Sequence, residues 1–371
     1  MLSRAFFSPA DALGNASSVH GAGRRARNRL EAARSEVAAL LGRDAREVVF
    51  TASGSEATAL ALKGSFLARE DRARVRLIAS SIEHPATLFA LEQLKSQGAE
   101  VVLVPPRPNG AVDLEQLEAE LTDKTFGVSL MWANNETGVL QPVASVAELC
   151  RRRGVVFHTD AVQAAGRVSV SLKEVPAHLL SLSGHKLGAP AGVGVLVAAR
   201  DIPLQALVPG HQEGGRRGGT SAVVFAEAFA LALGLSMKAQ PKLDGTVGPL
   251  RDLFEQRLLE ALPKAQVNGG GVRLPNTSNV CFPGADGEAL LIGLDLEEIY
   301  VSSGAACASG SVKPSHVLTA MGLNPAQAQS SLRFSLGARS SRAEVDRVVE
   351  ALVRLVPSAQ GGSRGGASAV L

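Results

Sequence analysis

Between residues 20 and 200, short apolar runs alternate with amphipathic stretches, and no other feature constrains the fold as tightly. The pattern predicts a helix over His20–Leu41 closed by Gly42, a strand over Glu47–Thr51 and a helix over Ser55–Ala68. A strand at Val75–Ala79, a helix over Pro85–Gln97 ended by Gly98, and strands at Glu100–Val104 and Phe126–Met131 follow. A helix at Val146–Arg153, a strand at Val155–His158 and a late strand at Val193–Val197 complete the series. Short apolar strands alternating with helices predict an α/β domain on a mostly parallel sheet. Such sheets bind ligands beyond the carboxyl ends of their strands, so chemistry is sought just after each strand.

At 371 residues the chain is longer than one hydrophobic core usually organises. It reads as a short N-terminal segment over 1–13, a large domain over 14–241, a smaller α+β domain over 242–358 and a disordered tail over 359–371. Residues 208–220 form a Gly-rich basic loop, a long helix follows from Ser221 to Ala239, and Pro241–Gly245 reads as a hinge. The smaller domain carries a helix at Pro249–Leu262, strands near Ser278–Phe282 and Glu298–Ser302, and a helix at Arg342–Leu355. A content of 46% apolar and 20% charged residues excludes a wholly disordered chain. Aromatics at 4%, with Trp132 and Tyr300 the single Trp and Tyr, argue against stacking platforms for single-stranded nucleic acid. A net charge of +3 does not point to a polyanion. Cys150, Cys281 and Cys307 make neither a disulfide framework nor a zinc spacing, so no metal site is expected and a reducing, cytoplasmic setting fits. No uninterrupted apolar run approaches the ~20 residues that span a bilayer, so no membrane partner is expected.

Several strand ends carry polar groups that belong together chemically. Ser181–Gly188 places Lys186 after a short apolar strand, among small residues and His185. In a pocket that lowers its pKa, such a lysine forms a Schiff base with an aldehyde cofactor; alone it also reads as a surface lysine. Asp160 stands at an upstream strand end with Gln163 one turn later, where an acid can keep a pyridinium nitrogen protonated. A plain helix cap explains Asp160, but not its recurrence with Lys186. Gly54 and Ser55 open a helix whose free N–H groups suit a phosphate, or simply an N-cap. His84 follows another strand, placed either to stack on a flat cofactor or for structure, and Asn135 lies just past a fourth.

The ordered set of motifs resembles the cysteine desulfurases of the nitrogenase and iron–sulfur-cluster assembly type, within the fold-type I, class V aminotransferase-like enzymes. The matching stretches are Gly14–His20, Phe50–Glu56, Glu83–Ala86, Asn134–Gly138, His158–Gln163, Ser181–Lys186, Arg217–Thr220, Ser302–Ser309 and Arg333–Gly337. The resemblance implies pyridoxal 5'-phosphate as cofactor, with Lys186 as the Schiff-base lysine and proton shuttle. Asp160 would face the pyridine nitrogen, Gln163 the ring hydroxyl oxygen, and His84 the ring itself. Gly54, Ser55, Ser183 and His185 would hold the phosphate, with Thr220 reaching the cofactor of a second subunit in a homodimer. Asn135 and Arg333 would bind the carboxylate of L-cysteine, a group that a guanidinium fork matches. Cys307, among Gly and Ser with Lys313 nearby, would be the nucleophile, whereas Cys150 and Cys281 read as buried apolar residues.

What the resemblance implies is conversion of L-cysteine to alanine, with sulfur left as a persulfide on Cys307 for a scaffold or sulfurtransferase. A selenocysteine lyase, a small-molecule aminotransferase of the same fold, or a non-catalytic assembly partner are the alternatives; Cys307 favours the desulfurase. Relative to the family pattern, Gly214 stands for arginine, Gly218 for serine, Ala189 for glycine, Ala191 for lysine, His178 for aspartate and Ser55 for threonine. Only Met1–Leu13 precede Gly14, where the family has a strand and an Ala-Thr-Thr-Pro-like turn, so weak turnover and a loosened pocket wall are the expectation.

Overall fold

The computed structural model describes residues 14–303 and 314–361. The chain divides into two compact units. One takes residues up to Val104 with Asp113–Ala133 and Gln141–Gln240; the other takes Pro105–Val112, Asn134–Leu140 and residues from Pro241 on.

The first unit is built on seven strands: β1 (Val48–Thr51), β2 (Arg76–Ser80), β3 (Glu100–Val104), β4 (Thr125–Ser129), β5 (Val156–Asp160), β6 (Leu179–Ser183) and β7 (Gly194–Ala198). Their order is β1-β7-β6-β5-β4-β2-β3, with β3-β2-β4-β5-β6 parallel and β7 antiparallel to both β6 and β1. Every residue of β6 and β7 is buried, as expected of a sheet covered on both faces, and this fits apolar runs without alternation. The expected mostly parallel α/β architecture is therefore what forms.

Local chemistry sets the element ends. His20 caps the helix Gly21–Leu41 by accepting the Gly23 N–H at Nδ1, and Gly42 closes it at φ 74°. Ala26, Leu30, Ala33, Val37 and Leu41 repeat along its buried face. The expected helix over Ser55–Ala68 is instead Gly54–Ala59, a wide turn at Leu60–Gly64 with π-type bonding, and Ser65–Ala68. At that turn the distant segment carrying Gln205 comes close: the Gly64 carbonyl accepts the Gln205 N–H at 3.0 Å, and a Cβ on Gly64 would sit 2.9 Å from the Gln205 oxygen. On the open side of β1, Phe50 donates its N–H to Glu213 at 2.9 Å, and Arg34 forks that carboxylate at 2.6 and 2.9 Å. Arg34 also donates to the Val48 carbonyl, so the glycine-rich loop is pinned to the strand.

The second unit has a four-stranded antiparallel sheet, ordered β10-β11-β9-β8, from β8 (Gln266–Val267), β9 (Thr277–Cys281), β10 (Ser302–Ser303) and β11 (Ser331–Ser335). Phe254, Val280, Phe282, Leu290, Leu332, Phe334 and Leu352 form its core, with the Phe254 and Phe334 rings 4.8 Å apart.

Three expectations change here. Pro241–Gly245, read as a hinge, lies inside one helix, Val223–Ala261. The helix runs on through both Pro241 and Pro249, each of which lacks the N–H that a helix interior position would donate. By length and composition that helix could also cross a bilayer, yet Ala226, Phe229, Ala230 and Leu233 are buried in the protein and Glu227 pairs with Arg29 at 2.6 Å. The strand expected at Glu298–Ser302 shrinks to Ser302–Ser303, because Glu298 adopts a left-handed φ of 58° just after the helix Gly287–Leu296. The last helix runs over Arg342–Gly361, past the expected tail boundary at 359, with the Asp286 N–H on the Ala359 carbonyl and Gln360 Nε2 on that of Pro283.

Candidate active site

Strands β5 and β6 lie side by side, with Asp160 opposite Ser181. The Asp160 carboxylate accepts the Val162 N–H at 2.9 Å, and its carbonyl accepts the Trp132 N–H at 2.8 Å. Burial pushes its pKa up to about 6, against the pull of the Val162 bond. Two residues back on the same face, His158 bridges Ser129 (2.8 Å) and Ser181 (2.9 Å). Burial lowers that imidazole to about 3, so the row across β4, β5 and β6 holds a neutral ring behind Asp160.

After Ser183 the chain makes one tight turn, Gly184–Lys186, which sets Lys186 half-buried beyond the end of β6. Ser183 Oγ and His185 Nδ1 are 2.9 Å apart, and the His185 pKa is lowered, first by burial and then by the Lys186 charge. Arg167 donates to the Gln163 carbonyl at 2.9 Å and to the Lys186 carbonyl at 3.4 Å, tying those two turns together.

Glycines bring a third segment close. A Cβ on Gly54 would lie 2.8 Å from Ser183 Cβ and 3.2 Å from Val162 Cγ2; one on Gly194 would lie 2.3 Å from the Ser53 carbonyl carbon. Ser53 Oγ accepts the Glu56 N–H at 3.1 Å, while Glu56 accepts the Ala52 N–H at 2.7 Å and pairs with Arg217 at 2.9 Å. Ser55 is exposed, as is Thr220 in the loop that carries Arg217. Gly218 leaves no space for the serine usual in the family, since a Cβ there would meet the Pro209 oxygen at 2.1 Å. His178 Nδ1 accepts the Phe157 N–H at 3.0 Å, a backbone role that suits its departure from aspartate.

His84 is half-buried and caps the helix Pro85–Lys95, with Nδ1 accepting the Ala86 N–H at 3.1 Å, so its ring orientation is fixed. Its neighbour Glu83 is wholly buried and accepts the Met131 N–H at 2.7 Å. Burial, and then the Asp160 charge, hold the Glu83 carboxyl well above the usual range.

In the second unit, Arg333 Nη1 donates to the Asn135 carbonyl at 2.8 Å, and the buried Asn135 Oδ1 has no partner among the described residues. Asn134 Oδ1 gathers the N–H groups of Glu136 (2.9 Å) and Thr137 (3.0 Å), which shapes the turn. Glu136 is buried; Ser315 Oγ donates to its Oε2 at 2.5 Å, and Asn279 Nδ2 donates to its carbonyl at 3.3 Å. Burial raises its pKa to about 7, opposed by the Ser315 bond and the Arg333 charge. Cys307, like Lys313, lies outside the described residues. Cys150 and Cys281 are free and buried, and burial pushes the Cys150 thiol up to about 12.

These features fit pyridoxal phosphate. Gly54 lets the turn before its helix approach Ser183 at the end of β6, the buried Asp160 carboxylate suits a pyridinium, and Lys186 follows the neighbouring strand. Residues 6–348 match the family model for class-V aminotransferases. The chain belongs to the class-V aminotransferase family. Membership makes it dependent on pyridoxal phosphate. Within the family it is similar to a cysteine desulfurase of Nostoc sp., 40% identical over 93% of this chain and 86% of that one. The cysteine desulfurase NifS of Azotobacter vinelandii is 41% identical over 92% and 86% respectively. A solved NifS-like protein superposes with a TM-score of 0.89 at 32% identity, covering 96% of this chain and 95% of the other. Glu56, Glu83, Glu136, Arg167 and Ser315 were not singled out by sequence reasoning. The three glutamates sit inside or beside the recognised motifs, but only the fold reveals what they hold.

Proposed function

We propose that the chain is a cysteine desulfurase in which Lys186, Asp160 and the Gly54 turn receive pyridoxal phosphate and Cys307 receives the sulfur of L-cysteine. The observation that carries this reading is the meeting of Asp160, Ser183 and Gly54 at neighbouring strand ends, one turn from Lys186. Bound pyridoxal phosphate supplies the electron sink for carbanion chemistry at the substrate α-carbon. Asp160 would hold the positive charge at the pyridine nitrogen, and Gln163 and His84 would be the residues toward the ring hydroxyl and the ring. Gly54, Ser55, Ser183 and His185 would bind the phosphate, and Lys186 would take and return the α-proton. Arg333 and Asn135 orient the substrate carboxylate; the Arg333 Nη1 bond to the Asn135 carbonyl, which brings the two residues together, supports this.

The Cys307 thiolate attacks the substrate sulfur, forming an S–S bond as the C–S bond breaks. The electron pair stays with the three-carbon fragment, which takes up protons and leaves as alanine. The resulting persulfide passes to a scaffold or sulfurtransferase protein serving iron–sulfur clusters or a thio-cofactor. We also propose a homodimer, supported by the exposed Thr220 at the end of its loop, and a cytoplasmic setting, supported by the free Cys150 and Cys281.

Purified protein should absorb in the visible and release alanine from L-cysteine. Cys307→Ser should keep the absorbance and lose sulfur transfer, because the lysine-dependent steps do not need the thiol. Full turnover by Cys307→Ser would refute the assignment of the nucleophile.

A further inference from the structure

The turn that carries Lys186 is short, and its own hydrogen bonds converge on one atom. Gly184–Lys186 is a three-residue turn just past β6, and the Leu187 and Ala189 N–H groups both bond the Gly184 carbonyl, at 2.9 and 3.0 Å. The two carbonyls that follow are met by side chains from elsewhere in the first unit. Arg167 Nη2 donates to that of Lys186 at 3.4 Å, and Ser236 Oγ, from the long helix, donates to that of Leu187 at 3.2 Å. The same guanidinium donates through Nη1 to the Gln163 carbonyl at 2.9 Å. Gly166 makes this approach possible. Its φ is 74°, and a Cβ on it would lie 2.5 Å from Ser236 Cβ and 3.5 Å from Leu187 Cδ2. The segment after β5, the segment after β6 and the long helix therefore meet at two consecutive carbonyls, the first of them that of Lys186 itself.

We propose that Arg167 is a positioning residue for the reaction: helped by Ser236, it locks the backbone of Lys186 to that of Gln163, so that the amine moving the α-proton and the amide toward the ring hydroxyl keep one separation. This rests on the reading of Lys186 and Gln163 as cofactor residues. Arg167 acts here through main-chain carbonyls, and a charged donor makes such bonds stronger than a neutral one. Its planar fork spans two carbonyls of different segments at once, which the single ammonium of a lysine does not reproduce. The benefit is geometric. A reacting group misplaced by about 1 Å loses on the order of 100-fold in rate, and a long side chain on a loosely held turn is open to such a shift. Cysteine binding is assigned to Arg333 and Asn135, so loss of Arg167 should act on kcat and spare KM.

The test compares wild type with Arg167→Gln, Arg167→Lys and Ser236→Ala, each as holoenzyme and as apoprotein. In Arg167→Gln, kcat for alanine release should fall about 10- to 100-fold, with KM for cysteine within about twofold of wild type. Arg167→Lys keeps the charge and one donor and should recover part of that loss, while Ser236→Ala should lower kcat by a smaller factor. Hydrogen exchange in the apoprotein should quicken in Arg167→Gln over residues 184–189, which carry the Leu187 and Ala189 amides, and stay as in wild type over β5 and β6. Wild-type exchange or wild-type kcat in Arg167→Gln overturns the proposal. So does a loss carried by KM, or faster exchange throughout the first unit, which marks a general defect of the fold. If Arg167→Gln does not fold, unchanged kcat in both Arg167→Lys and Ser236→Ala overturns it. Wild-type protein that borohydride does not link to cofactor at Lys186 overturns instead the reading of Lys186 beneath it.

Discussion

Asp160 and Glu136 are both carboxyl groups that burial pushes upward, to about 6 and about 7, yet their surroundings differ. Asp160 has the Val162 N–H, and no cation among the described residues contributes to its shift. Glu136 has the Ser315 hydroxyl and the charge of Arg333. A buried carboxylate without a cation works against folding on its own, so its position makes sense where a ligand brings positive charge. At Glu136 the Ser315 bond and the Arg333 charge offset burial only in part, and burial still wins. Within the first unit Asp160 is thus a buried acid with only backbone support among the described residues, and within the second Glu136 is a buried acid with a hydroxyl donor.

The largest effect expected from breaking this contrast is at Asp160. Asp160→Asn should lower alanine release by roughly 10³-fold, since the ring nitrogen loses the anion that keeps it charged. The same change should stabilise the cofactor-free protein. Its folded pKa of about 6 lies above the ordinary 3.8, so the folded chain keeps a proton that the unfolded chain has already lost. Stability from the neutral form is complete below the ordinary value and is lost as pH rises toward 6, by roughly 2–3 kcal/mol. Asp160→Asn apoprotein should therefore melt above wild type at pH 7.5 and level with it near pH 4. A lower melting temperature at both pH values would mean that Asp160 is structural.

Arg333→Ala comes next, with an expected loss of about 10²-fold in kcat/KM for cysteine, carried mainly by KM. A loss confined to kcat would show that Arg333 acts on the reacting atoms instead. The smallest effect is geometric. Gly54→Ala puts a methyl 2.8 Å from Ser183 Cβ and should cost about 1–3 kcal/mol, while weakening cofactor affinity more than cysteine affinity. Calorimetric unfolding with and without cofactor separates the two.

The first unit was readable because its signals are local. A strand, a turn and a helix cap occupy ten or so consecutive residues, and Asp160, Lys186, His84 and Gly54 are each marked by such a unit. The second unit is assembled from pairings distant in sequence, such as Cys281 with Ser331, and from strands β8 and β10 of two residues each. Helices His316–Ala320 and Pro325–Gln329 are too short to show a period, and Leu114–Ala119 was missed for the same reason. Among the chemical groups, those anchored by one motif could be inferred, whereas Arg167, Ser315 and the Ser129–His158–Ser181 row depend on register and tertiary approach. Cys307 was named from the family resemblance and its polar neighbours, and lies outside the described residues.

The Glu213–Arg34 pair has a consequence for how such a large sheet avoids growing. Strand β1 ends the sheet, and an end strand with outward amides is a template for a strand from another molecule. Glu213 occupies the Phe50 amide with a carboxylate, and an intruding strand would have to strand the buried Arg34 guanidinium to remove it. The two residues are 179 positions apart, so β1 remains open during synthesis until the distant loop arrives. Chains truncated before residue 213 leave the Phe50 amide without this carboxylate, and they should aggregate more readily than the full chain.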